Sequence, residues 1–124
     1  MDITNQLPTH ILNHLLNNED YCRRVIPYLQ KEYFEGTHKT VFDLIVKFVA
    51  KHNKLPSGRI LDLELRKIQA PDDILNNAAK LINEIKEKSE VDTDYLIIES
   101  EKWCRDRAVY LSLIHISEPT RLGF

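Results

Sequence analysis

Apolar residues recur at helical spacing along most of this chain, and the alternation that a strand needs is found nowhere at useful length. The clearest run lies between Lys31 and Ser57. Val41, Leu44, Ile45, Phe48 and Val49 fall on one helical face, and Phe42, Val46 and Ala50 widen it. At ~100° per residue these side chains cover roughly two-thirds of the circumference. Thr40, Asp43, Lys47 and Lys51 are left as a polar strip. A helix this apolar must be wrapped by neighbours. The pattern therefore predicts a central helix, capped by Thr37 and running to about Asn53.

The flanking patterns are weaker but of the same kind. Pro8 suits the first position of a helix whose Ile11, Leu12, Leu15 and Leu16 form a narrow stripe ending at Asn17-Asn18. Residues 20–30 read as a short helix with Cys22, Val25, Ile26 and Leu29 inward, and Pro27 predicts a kink or break near Ile26. Tyr33-Phe34 is an aromatic pair beside Gly36, which can take the positive φ of a turn. After the central helix, Leu55-Pro56-Ser57 is a connector. Ser57 caps a helix carrying Ile60, Leu61, Leu63, Leu65 and Ile68, which Ala70-Pro71 closes.

Asp72-Asp73 suits the start of the next helix, which holds Ile74, Leu75, Ala78, Leu81, Ile82 and Ile85 on one side and ends in Lys86-Glu-Lys88. Asp92-Thr-Asp94 offers a cap for a last helix from about Tyr95, with Leu96, Trp103 and Tyr110 seven apart. The predicted fold class is all-α: a compact bundle of short helices over residues 1–69, then an antiparallel helical hairpin over residues 70–110. A two-helix hairpin hides only one face of each helix. Leu81, Ile82, Ile85, Leu96, Trp103 and Tyr110 are therefore expected at a partner interface, with Trp103 readable equally as core or as a contact anchor, since large aromatics dominate interface energetics.

Composition adds bounds. A chain of 124 residues suggests one domain and can build a core without staples. Only three glycines and five prolines favour long helices over turn-rich sheets. No apolar run approaches the roughly 18 residues needed to span a bilayer, and no secretory signal is visible. Cys22 and Cys104 lie far apart in a chain without an export signal, so they read as reduced, unrelated thiols of a cytosolic protein. The net charge of −2 argues against a surface built mainly to grip nucleic acid.

Candidate chemistry is sparse. His10 and His14 have a spacing that can serve a metal, with Glu19 as a loose third ligand, but solvent-facing histidines on an amphipathic helix are the expectation. His38 is expected to cap or to pack near Phe34. Cys22 or Cys104 as a nucleophile would need an activating partner that the sequence does not place. Asp72-Asp73 and Glu99 with Glu101 read as helix-start charge and a solvated face rather than as an acid/base pair. Lys47, Lys51, His52, Lys54 and Arg59 form the local basic concentration, read as the polar strip of the central helix and its exit loop. No catalytic, cofactor or metal residue is assigned.

Taken together, the helix Ile11-Leu-Asn-His-Leu-Leu, Asp20-Tyr21, Pro27-Tyr28, Glu32-Tyr-Phe34, Phe42-Asp-Leu-Ile45, Val49, Pro56-Ser57 and Leu61 resemble the N-terminal domain of DnaB-type replicative DNA helicases. The chain looks most like the version found in T4-like bacteriophages. The segment Leu96-Ile-Ile-Glu-Ser-Glu-Lys-Trp-Cys-Arg-Asp-Arg-Ala108 resembles the start of the stretch leading to that family's linker. Within the wider family an aromatic-then-histidine feature precedes a Phe-containing helix, here Tyr33-Phe34, His38 and Phe42. Ile45, Phe48, Val49 and Pro56 complete this core signature. The resemblance implies an all-α collar domain of a ring hexamer that unwinds DNA in the bacterial host cytoplasm. The collar associates with copies of itself and docks primase, while ATP and Mg belong to a separate motor that engages DNA. No membrane is involved.

The chain departs from the family's full pattern. It has no Gly-x-x-x-x-Gly-Lys-Ser/Thr loop, its glycines being Gly36, Gly58 and Gly123. ATP hydrolysis by this polypeptide is therefore not expected. The alternative reading is a free-standing helical phage protein that binds DNA or regulates, with residues 57–68 as a recognition helix. Finally, Leu111-Ser-Leu-Ile-His-Ile-Ser-Glu-Pro-Thr-Arg121 looks like a translated sequencing adapter. The expectation is a native sequence ending near Tyr110 and a non-native tail over residues 111–124. The rival is a real tail of two more helical turns and a Pro-terminated coil.

Overall fold

Local signals set most of the helix ends. The computed structural model describes residues 3–87 and 89–116, with side chains described over 6–87 and 89–113. Among these residues there are six α-helices and no strand. Helix α1 (Ile3–Asn17) begins ahead of Pro8, which lies inside it rather than at its first position. The ring forfeits one helical hydrogen bond in the second turn, past the N–H groups that a helix start leaves free. Helix α2 (Glu19–Val25) is capped by Asn18, whose side chain accepts from the Tyr21 N–H at 3.0 Å. Pro27 then falls in a 3-10 turn at Ile26–Tyr28, the break expected there. A second 3-10 turn, Lys31–Tyr33, delivers Tyr33 and Phe34 to the interior.

Gly36, at φ +57°, opens helix α3 (Gly36–His52). The helix starts at that glycine rather than after Thr37. Its end is set by Asn53 in the left-handed region at φ 54°, with the Asn53 N–H donating to the Val49 carbonyl at 2.8 Å. Helix α4 (Gly58–Arg66) is capped as expected, Ser57 Oγ accepting from the Ile60 N–H at 3.2 Å. Helix α5 (Asp72–Ile85) carries Asp72 and Asp73 in its first turn. Helix α6 (Thr93–Ile116) is capped by Asp92, whose carboxylate accepts from the Tyr95 N–H at 2.9 Å. It runs through Tyr110 to Ile116 without a break. Of the segment 111–124 singled out in the sequence, residues 117–124 lie outside the described residues.

Helix α1 is the shared partner of the bundle, touching α2, α3, α5 and α6. Every side chain over residues 11–16 is buried, including those of Asn13 and His14. Helix α3 packs on α1, α4 and α5; α6 packs on α1 and α2. The main partners of α5 are α1, α3 and α4. Helix α1 thus packs against both α5 and α6. One cluster of buried side chains runs from Leu7 to Cys104 and draws on both segments that the sequence divides at residue 69. Each large aliphatic side chain fully buried there contributes ~1.5–3 kcal/mol relative to exposure.

The polar residues of α1 enter this interior because each finds a partner on the connection between α5 and α6. The Asn13 amide donates to the carbonyls of Ile85 at 3.2 Å and Glu87 at 2.6 Å. The Asn17 amide donates to Ile85 at 2.8 Å. His14 sets Nε2 3.1 Å from the Val91 carbonyl, and Asn18 donates to the Thr93 hydroxyl at 3.0 Å. Carbonyls at a helix end lack intrahelical donors, and these amides supply them.

Candidate protein-interaction site

The aromatic residues singled out by the sequence come together where α1, α3 and α6 meet the second 3-10 turn. The Phe34 ring stacks on Phe42 at 4.5 Å between centroids. Trp103 leans on Phe34 at 5.0 Å and meets Tyr33 edge-on at 6.0 Å. Contacts of this kind are worth ~0.5–1.5 kcal/mol beyond the area they bury. Ile45 and Pro56 are fully buried, Val49 is half-buried, and buried Phe48 lies against the His52 ring at 4.3 Å. His38 is half-buried and hydrogen-bonded through Nε2 to the Thr9 hydroxyl at 2.8 Å, which ties α3 to α1. Burial pulls the His38 imidazole below its usual pKa, against an opposing pull from Glu84. Thr9 carried no signal in the sequence that paired it with His38.

Beside this cluster lies a groove of about 300 Å³. Tyr33, Phe34 and Trp103 line it together with Pro8 and His38, and Glu35 and Arg107 supply its charged groups. The Arg107 guanidinium sits 5.1 Å from the centre of the Tyr110 ring, and its Nη2 is 3.5 Å from a Glu35 carboxylate oxygen. Its Nε is buried without a hydrogen-bond partner. The sequence reading missed Arg107. The available signal was its place one helical turn beyond Trp103 on the same helix.

The expected interface residues divide sharply. Leu81, Ile82, Ile85 and Leu96 are buried inside the protomer, so their assignment to a partner surface is corrected. The reason is the position of α1, which closes both faces. Trp103 is half-buried against the aromatic cluster, whereas Tyr110 is exposed. The apolar residues that α6 does present to solvent are Tyr95, Ile98, Val109, Tyr110 and Leu113. Lys102 and Arg105 interrupt that face, which hid it from a periodicity argument.

The remaining candidates are weaker still as chemical sites. His14 is buried rather than solvent-facing, and its ring nitrogens face the carbonyls of His10 at 3.3 Å and Val91 at 3.1 Å. Among the described residues no three of His, Cys, Asp or Glu converge as a metal set. Cys22 and Cys104 are free and buried, and burial pushes each thiol up to about 11. They are therefore protonated at neutral pH and poor nucleophiles. In the basic strip, Lys47 pairs with Asp43 at 2.9 Å. Glu64 is held below the usual carboxylate range first by its hydrogen bond to Lys67, with Lys51 and His52 contributing. Helix α4 packs on α5 and buries Leu61 and Leu65, leaving Arg59 and Arg66 exposed.

No described helix is long and apolar enough to cross a membrane. No family model matches the chain. It is 31% identical over 109 residues to the DnaB-like replicative helicase of Enterobacteria phage T4, an alignment that covers 87% of this chain. The chain spans 23% of that relative's length. The likeness to a DnaB-like replicative helicase thus extends over most of the chain, consistent with an N-terminal fragment of such a helicase.

Proposed function

We propose that this chain is the N-terminal collar of a phage replicative DNA helicase, serving oligomerisation and primase docking during DNA replication in the host cytoplasm. The alignment to the T4 relative over 87% of the chain carries this reading. The parent would be a ring hexamer whose ATP- and Mg-dependent motor engages DNA through residues other than these. The exposed Tyr95, Ile98 and Val109 on α6 supply apolar area for contact with a second copy, at roughly 25 cal/mol per Å² before the costs of association.

Sedimentation equilibrium over a wide concentration range tests the assembly. Self-association that is lost in an Ile98→Asp, Val109→Asp variant with an unchanged helical spectrum supports it. A chain that stays monomeric at high concentration, and instead binds duplex DNA in a salt-dependent manner, replaces it with the free-standing DNA-binding reading.

A further inference from the structure

The groove beside Trp103 has a feature that the collar reading leaves unused. A guanidinium pairs best with a planar carboxylate through two parallel N–H bonds, and its Nε–Nη2 edge is one such fork. In Arg107 that edge is half used. Nη2 has a long 3.5 Å contact to Glu35, and Nε has no hydrogen-bond partner among the described residues. Glu35 is 81% exposed, while the Arg107 side chain is 22% exposed and braced over the Tyr110 ring. Arg107 is braced while its present anion is free to swing away, and an acceptor reaches the buried Nε only with that local movement. A buried donor left without an acceptor is costly, so an occupant that completes the fork has an energetic advantage over Glu35.

We propose that the groove binds an acidic peptide segment of a partner protein, whose Asp or Glu carboxylate displaces Glu35 from Arg107 while a neighbouring aliphatic side chain lies against Trp103 and Tyr33. A carboxylate fits better than a phosphate, because a single guanidinium edge offers two coplanar donors and no second Lys or Arg is among the described residues lining the groove. The aromatic walls call for an apolar group next to the charge, which a free small anion lacks. Glu35 acts as a built-in competitor that keeps the site closed until a better carboxylate arrives. The inference stands whether or not the chain self-associates.

Trp103 is the chain's one tryptophan, so its emission reports the groove directly. The probe is acetyl-Leu-Glu-Leu-amide titrated into the full chain, with acetyl-Leu-Gln-Leu-amide, acetate and phosphate as comparisons. The expected result is a saturable shift with the Glu peptide alone. Glu35→Gln tightens binding severalfold, and Arg107→Gln weakens it by roughly tenfold or more. If circular dichroism shows Arg107→Gln to be unfolded, the Glu35→Gln titration decides. Equal responses to the Glu and Gln peptides, or to acetate or phosphate, overturn the proposal. So does a silent Trp103 at millimolar peptide in both the unsubstituted chain and Glu35→Gln, or an affinity that Glu35→Gln leaves unchanged.

Discussion

The hydroxyls of Tyr21 and Ser100 meet at 2.6 Å in the interior, joining α2 to α6. Both residues are fully buried, and burial raises the Tyr21 phenol well above its ordinary range despite the opposing hydrogen bond from Ser100. Each hydroxyl is the other's partner, so removing one strands the other. Tyr21→Phe and Ser100→Ala are each expected to destabilise the fold by about 1–3 kcal/mol, the cost of an orphaned buried polar group. The double variant loses less than the sum, since it leaves no orphan. Urea denaturation of the four chains measures this.

The amide of Asn13 reaches the end of α5 from the middle of α1. Asn13→Ala removes donors from two carbonyls and is expected to cost about 1–3 kcal/mol. Asn13→Asp is expected to cost more. It cannot donate, and it places a negative charge against the negative end of the α5 dipole. The order asparagine, alanine, aspartate in urea midpoints checks the argument. A reversed order for the last two would show that Asn13 acts through space-filling alone.

The thiols make stability depend on alkaline pH. Cys22 and Cys104 release their protons at about 11 in the folded chain, against an ordinary value of 9.0. Below pH 9 both states keep the protons, and the full stabilisation is present. Between about 9 and 11 the unfolded chain ionises first, so stability falls as pH rises. Thermal unfolding across that window is expected to show the decline, and the Cys22→Ala, Cys104→Ala variant a shallower one. At pH 8 a thiol reagent should react slowly with the folded chain and fully after denaturation.

What the sequence displayed were the features decided by neighbouring residues. Ser57 and Asp92 act as caps, Pro27 breaks the chain where it must, and Tyr33, Phe34 and Phe42 come together. The apolar face of α3 was legible because its polar strip is narrow. The central place of α1 was not, because Asn13 and His14 are polar and a pattern reader sets polar residues outside. Their burial depends on carbonyls more than seventy residues away, at Glu87 and Val91, which no local window contains. With residues 11–16 of α1 buried throughout, α5 and α6 have that helix as a common partner. Arg107 stayed hidden because only the fold sets it beside Glu35.

The consequence is sharpest for two isoleucines that a helical pattern treats alike. Ile82 is 1% exposed and belongs to the core, whereas Ile98 is 62% exposed on α6. An aspartate at position 82 must either bury a carboxylate without a partner or take up a proton, at a cost of several kcal/mol. Domains of this size hold about 5–15 kcal/mol in all, so Ile82→Asp is expected to lose most of its cooperative unfolding transition. Ile98→Asp replaces a side chain already in water and should move stability by no more than about 0.5 kcal/mol. Circular dichroism melts separate the two outcomes. Any loss of self-association in Ile98→Asp then belongs to the surface, while the same loss in Ile82→Asp reports only unfolding, which makes position 98 and not 82 the informative place to probe assembly.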